Sequence, residues 1–394
     1  MSGVLSPGQT PSQTLEGRVV IELPRRPGAP ARVDFVEPGD VGGLLRGRPP
    51  AEALALIPLV FALCRSAQSH AAVTALEAAL GLAPAPRTRA ARAALIAMET
   101  LREHSLRIAL DWPGFLELPP QAERLRPVMD LLPALTSALF GQRPAFALGA
   151  EAVPDRAAAL QVIDAAEKLL AREVFGEPLV RWSARRGRDD LLAWARDGGS
   201  LAGRVLTALA DAGWLDAAAA EARPLGAPAP AVLRAWLRGG AELPQDGGAE
   251  LPETTPFARR REDPLLASLG GCGLAARLTA RLVELARLPD ELRRLVQGEA
   301  PAPLHAPVGT RGEAFGCAAV EAARGLLIHA VELRGGVVAR YRILPPTRWN
   351  FDAAGIARRG LSGLTAADEA ARLRQAAMLV NAIDPCVRHE MRAA

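Results

Sequence analysis

The chain has 394 residues, 49% of them hydrophobic, which is enough for a large buried core and argues against a disordered chain. Only 4% are aromatic, so the core must come from small and aliphatic side chains on helices, and the expected class is α+β, predominantly α-helical. The net charge of +4 is carried almost wholly by arginine, with Lys168 the sole lysine. The densest basic run, Arg259–Arg260–Arg261, has only Phe257 near enough to stack on a base, so it reads as a solvated face and no nucleic-acid partner is expected. Cys64, Cys272, Cys317 and Cys386 are widely spaced, which argues against a disulfide framework. The opening MSGVLSPGQTPSQTLEG has neither the charged nor the apolar region of a secretory signal. The longest apolar run, Ala51 to Cys64, contains Glu52 and Pro58 and is too short to span a bilayer, so a cytoplasmic protein with no membrane partner is expected.

In chain order, Gly17–Leu23 and Ala31–Val36 read as two short strands joined by the turn-forming PRRPGAP, an opening hairpin. From Pro50 the apolar spacing becomes helical: one long or broken helix over Ala51–Leu80, another over Arg87–Leu106, then Gln121–Phe140, Pro154–Val174, Leu179–Arg196, Leu201–Asp211 and Pro230–Arg238. Residues 222–263, rich in Pro, Gly and Glu, read as a loop with at most one short helix; within it GGAELPQD and GGAELPET form a small duplication. A helix over Pro264–Gln297 and a Pro-rich stretch, Glu299–Pro307, lead to a second hairpin. Its strands are Gly325–Leu333 and Val337–Leu344, turning at Arg334–Gly335–Gly336. A last helix, Ala366–Ala382, ends before Asp384–Pro385–Cys386. Three segments follow: 1–85 with the first hairpin and helix, 86–298 as a helical body, and 299–394 with the second hairpin and the Asp-Pro-Cys turn.

No P-loop, HExxH, GxSxG or Rossmann fingerprint is present, so ordinary hydrolase and kinase chemistry lacks its parts. What remains is Cys64 with Gln68 one helical turn later and His70 nearby, and Cys386 followed by His389. A thiolate and an imidazole three residues apart can ligate a transition metal together, although each cysteine taken alone reads first as ordinary buried packing.

Four stretches, in the same order, resemble the nickel–iron hydrogenase large subunit. EGRVVIEL is similar to its first strand. Gly47 to Gly81 (GRPPAEALALIPLVFALCRSAQSHAAVTALEAALG) resembles, without a gap, its GRxPxxA stretch, its first cysteine motif and the helix that follows. Glu321 to Phe351 resembles the EAPRG segment, hairpin and Pro-Thr-x-Trp-Asn segment, and NAIDPCVRH (Asn381 to His389) resembles the C-terminal DPCxxC motif. About the first 85 and last 75 residues are covered. The resemblance implies a reduced large-subunit fold, with short β elements from both termini.

In that family two cysteine pairs hold nickel and an iron that carries cyanide and carbon monoxide. Laid on this chain, the pairs fall on Phe61 and Cys64, and on Cys386 and His389. Half the thiolates are gone, Gln68 replaces a histidine, and the expected acidic RGxE near Gly39–Gly42 is GDVG, so no nickel and no hydrogen catalysis are expected. The resemblance leaves the iron-facing part: Cys64, Cys386 and His389 as metal ligands, and Arg324 and Thr347 as hydrogen-bond donors to the cyanides. This combination is similar to HupK-type hydrogenase expression and formation proteins. It implies a scaffold or chaperone for assembling the Fe(CN)2CO unit of the large subunit, with the large subunit and other maturation proteins as partners. A metal-free chaperone that mimics the large subunit is the alternative, and an active hydrogenase-like enzyme the remote one. Blander roles stand beside these: Arg324 paired with Glu321, Thr347 capping a turn, Trp349 and Asn350 fixing a corner, and Cys272, Cys317 and His70 as packing.

Overall fold

A computed structural model describes residues 17–393 apart from 27, 222, 241–250, 301–307 and 311–312, without side chains at 308–310 and 313. Most of the opening segment, most of the small duplication and the greater part of Glu299–Pro307 therefore lie outside the described residues.

The opening hairpin forms as its composition predicts: β1 (Arg18–Leu23) and β2 (Arg32–Val36) are antiparallel, with Arg18 opposite Val36. Their alternating apolar residues Val19, Ile21 and Val33 enter the main core. The second hairpin, β5 (Gly325–Arg334) and β6 (Val337–Leu344), turns at Gly335 and Gly336, both at positive φ, a conformation glycine takes without steric cost.

Three strands escape the sequence reading. β3 (Val308–Thr310) and β4 (Glu313–Ala322) extend the second hairpin to a four-stranded antiparallel sheet ordered β3-β4-β5-β6. The last, β7 (Arg388–Ala393), runs parallel to β1 and completes a three-stranded sheet ordered β2-β1-β7. Parallel pairing needs a long crossover, and here nearly the whole chain supplies it. The first and last described strands thus meet in one sheet.

The helices between them are shorter and more broken than apolar spacing alone suggests. The Ala51–Leu80 stretch splits into Pro50–Val60 and Arg65–Leu80, with Phe61 to Cys64 as the joint. The helix over Pro86–Leu110 is the longest, followed in length by Leu274–Gln297, and these two pack together in the centre of the main core. Residues 222–263 correct the expectation of a loop with at most one short helix. Pro230–Leu237 and Pro256–Arg260 are both helical, Pro224 bridges Glu253, and Leu233, Trp236 and Leu251 bury against the four-stranded sheet. Its Pro and Gly content marks the ends of these pieces, not an absence of packing.

The arginine run is also corrected. Arg259 bonds Glu284 (2.7 Å) and Glu321 (3.1 Å), and Arg260 bonds Glu291 (2.8 Å), so two of its three residues build a partly buried ionic cluster between helices and sheet. Phe257 carries the Arg277 guanidinium over its ring at 5.0 Å.

One close approach positions the site. The Arg65–Leu80 helix lies so near β4 that a Cβ on Gly316 would sit 1.9 Å from the Ala75 carbonyl oxygen, so only glycine fits there. The first turns of that helix, next to Cys64, pack Ala67 and Ala71 against Val320, Ala322 and Leu327 of β4 and β5.

Candidate thiol pocket

Cys64 occupies the residue just before the Arg65–Leu80 helix and has no local side-chain cap. The orphan amides are met from another helix: Glu99 accepts Ser66 N–H at 2.8 Å and Ala67 N–H at 2.9 Å with its two oxygens. This carboxylate anchors the joint that carries Cys64, and burial raises its pKa in spite of those bonds.

Cys386 comes from the other end of the chain. Asp384 closes the Glu369–Ile383 helix in the left-handed region at φ 63°, and the chain turns through Pro385 into Cys386. The Thr347 hydroxyl donates to Cys386 Sγ at 2.9 Å and accepts from the Cys386 amide, also at 2.9 Å. Thr347 is thus engaged with the second cysteine, and its expected place beside a diatomic ligand becomes a place beside the sulfur.

The two thiols face a shared space. Both line a cavity of about 400 Å³ that opens between β6, the Phe61 joint and the start of β7. Both also line an adjoining nook of about 20 Å³ walled by Glu99, Glu103, Arg324 and Pro346, with room for about one water-sized group. Burial pushes the Cys64 thiol up to about 12, helped by Cys386 and opposed by Arg324. Cys386 is raised too, again chiefly by burial. Both rest as neutral thiols at neutral pH.

Arg324 sits at the back of the nook, only 3% exposed. Its Nη2 donates to Glu103 at 3.0 Å and its Nε lies 3.3 Å from Asp384, whose other partners are Arg107 (3.0 Å) and Arg281 (3.6 Å). Burial works against the Arg324 charge, but Asp384 and Glu103 outweigh it and raise its pKa. Asp384 is the counterpart: burial opposes its charge, and Arg324, Arg107 and Arg281 hold its carboxyl below the usual range. Glu321 is taken by Arg259, so the Arg324–Glu321 pairing does not form. Among the described residues Arg324 Nη1 is buried without a hydrogen-bond partner, and an orphan donor of this kind is costly unless a ligand meets it.

The structure therefore gathers Cys64, Cys386 and Arg324, with Thr347 behind Cys386. It does not gather His389, which lies exposed on β7 opposite Val19 and lines neither cavity. The one-residue step from Arg388, which lines the cavity, reverses the side chain across the strand. Among the described residues no group of three or more His, Cys, Asp and Glu is arranged to hold a metal ion. Trp349 and Asn350 take the structural roles expected of them: Trp349 is fully buried, and Asn350 exchanges hydrogen bonds with the Thr254 backbone. Cys317 is buried in the sheet, His70 packs near Phe146, and Cys272 is buried at the start of the Leu274–Gln297 helix. Glu99, Glu103 and Arg281 escaped the sequence reading because each is one polar residue on a helix tens of residues or more from the cysteines.

A protein with this order of elements and this pocket is a member of the nickel–iron hydrogenase large-subunit fold. The [NiFeSe] hydrogenase of Desulfovibrio vulgaris Hildenborough in its oxidized state superposes with a TM-score of 0.64 over 94% of this chain and 98% of that one. The NAD+-reducing [NiFe]-hydrogenase in its H2-reduced state gives 0.61 over 95% and 98%. At 15% and 17% identity these show the fold alone. No protein-family model matches the chain. Curated relatives are nearer in sequence: the hydrogenase expression/formation protein HupV of Azotobacter chroococcum, 30% identical over 96% of this chain and 99% of its own length, and HoxV of Cupriavidus necator, 32% identical over 96% of both. HupK of Azotobacter vinelandii is 31% identical over 96% of this chain and 99% of its own length. The chain belongs to the HupK/HupV/HoxV family of hydrogenase expression/formation proteins.

Proposed function

We propose that the protein is an assembly scaffold that transiently holds the iron–cyanide–carbonyl unit destined for a nickel–iron hydrogenase large subunit, and that it has no hydrogenase activity of its own. It would act in the cytoplasm, with the large subunit and other maturation proteins as partners. The observation that carries the reading is Arg324 Nη1, buried without a hydrogen-bond partner among the described residues, on an arginine that shares the walls of one small nook with both thiols. Soft sulfur suits iron, and a buried guanidinium suits the anionic cyanide nitrogen. Cys64 and Cys386 would be the iron ligands and Arg324 the cyanide partner. Thr347 would set the direction of the Cys386 sulfur, and His389 stands apart from this ligand set. Each thiol must lose its proton as it takes iron, and the 400 Å³ cavity gives that proton a path to solvent. Phe61 stands at the mouth of that cavity, where the resemblance places a nickel thiolate, which supports an iron-only cargo.

The test is infrared spectroscopy on protein purified without oxygen from a host that makes the iron unit. Cyanide and carbonyl bands should be present in the wild type and absent from the Cys64→Ser, Cys386→Ser double variant. Bands that survive in the double variant, or hydrogenase maturation that proceeds normally with it, would sink the proposal.

A metal-free interaction chaperone has one observation in its favour. The apolar end of the Pro50–Val60 helix and the joint after it are exposed where Val60 to Leu63 line the cavity, with Leu59 76% and Leu63 52% accessible. If that reading holds, Leu59→Ser with Leu63→Ser abolishes hydrogenase maturation, whereas the double cysteine variant does not.

A further inference from the structure

A buried relay runs from Cys64 back into the four-stranded sheet. His329, on β5, meets the Tyr341 hydroxyl through Nδ1 at 2.8 Å and Gln68 Oε1 through Nε2 at 2.8 Å. The His329 and Tyr341 rings are edge-on, with centroids 5.6 Å apart. Gln68, His329 and Tyr341 are all at most 4% exposed, and Tyr341 is the only tyrosine in the chain.

The polarity of this relay follows from what each atom can do. A carboxamide oxygen only accepts, so His329 Nε2 carries the ring proton. Nδ1 is then bare and accepts from the Tyr341 hydroxyl. Burial holds the His329 pKa down at about 3, so a second ring proton is not available to reverse the order. With its oxygen committed to His329, Gln68 turns its NH2 the other way. That is the side of Cys64: the two residues line both cavities together, and the Gln68 side chain acts to lower the Cys64 pKa against the larger effect of burial.

We propose that His329 and Tyr341 are positioning residues: they lock the Gln68 carboxamide in the one orientation that presents its NH2, not its oxygen, to the Cys64 sulfur. An N–H donor matches a sulfur that accepts, as an iron-bound thiolate does, whereas a thiol donating S–H would be matched by the oxygen. Gln68 in this setting replaces the histidine of the large subunits, and its orientation is set from two strands away. The purpose assigned to the relay rests on the iron-unit reading; its polarity does not.

Two measurements separate these. Side-chain 15N NMR of the full-length apoprotein, with His329 assigned by loss of its signal in His329→Gln, should show the Nε2-protonated tautomer. An Nδ1-protonated ring would overturn the proposal, because Gln68 would then have to give its NH2 to His329. In iron-loaded protein, Gln68→Leu removes the donor without adding a charge or a new one. Its carbonyl band should move to lower frequency, since a sulfur relieved of a hydrogen bond gives more electron density to iron, and Tyr341→Phe should move it less in the same direction. An unshifted band in Gln68→Leu also overturns the proposal. Absence of bands from the wild type counts against the iron-unit reading alone, and the tautomer then decides the relay.

Discussion

Two buried arginines near opposite ends of the Arg65–Leu80 helix differ in one respect that contrasts architecture with the candidate site. Arg92 is saturated: it grips both Glu77 oxygens at 2.8 and 3.1 Å and donates to the Ala145 and Ala147 carbonyls at 2.9 Å each. Gly149 N–H completes Glu77 from the other side. Arg324, almost as buried, shares Asp384 with two other arginines and leaves its Nη1 without a partner among the described residues, in the wall of a nook that two thiols also line. A buried ion pair whose bonds are all made is a structural clamp; one with a donor left over beside a cavity is prepared for something that is not protein.

The contrast is broken most forcefully at Arg92. Arg92→Ala leaves Glu77 buried and unpaired and should cost ~3–5 kcal/mol in urea unfolding. Arg324→Ala should cost clearly less, because Arg107 and Arg281 still cover Asp384, yet it should abolish the cyanide and carbonyl bands that Arg92 variants able to fold retain. Next in size is Thr347→Val, which deprives the Cys386 amide of its acceptor and should cost ~1–3 kcal/mol, with weakened iron retention.

The pH dependence sharpens the same distinction. His329 is buried neutral with a pKa of about 3, below its unfolded value, so between those values the unfolded chain binds more protons. Its contribution is intact above the unfolded pKa of ~6.5 and is lost as pH falls, by up to ~1.4 kcal/mol per pH unit, and His329→Gln should flatten that limb of a stability–pH curve. The smallest effects belong to the cysteines. Cys317→Ala, in the sheet core, should cost about 1 kcal/mol and leave any bound iron unit untouched, while Cys64→Ala should fall within about 0.5 kcal/mol of wild type and abolish the bands. Equal loss of stability from both would dissolve the separation of packing thiols from site thiols.

Much of the fold was legible because local signals and tertiary context agree. The two hairpins follow from alternating apolar residues bounded by turn formers, and the helical body from apolar spacing. β7 was not legible: RHEMRA is charged and carries no strand pattern, and it is a strand because β1 offers it a paired edge. The same context moved His389 from expected ligand to exposed edge residue. The Arg259–Arg261 run looked solvated since sequence shows charge but not the Glu284, Glu291 and Glu321 carboxylates waiting for it.

By itself the sequence determined the class of fold and the hairpins and singled out Cys64, Cys386 and Arg324 as candidates, because those depend on short-range periodicity and on motifs contiguous in the chain. Only the tertiary structure decided that Thr347 serves the Cys386 sulfur, that Glu99 pins the Cys64 joint and that Arg324 keeps a free N–H. It also decided that Gln68 is held by His329, 261 residues away. Hydrogen-bond satisfaction is a property of partners brought together by folding, and no spacing along a chain records which of them is left over.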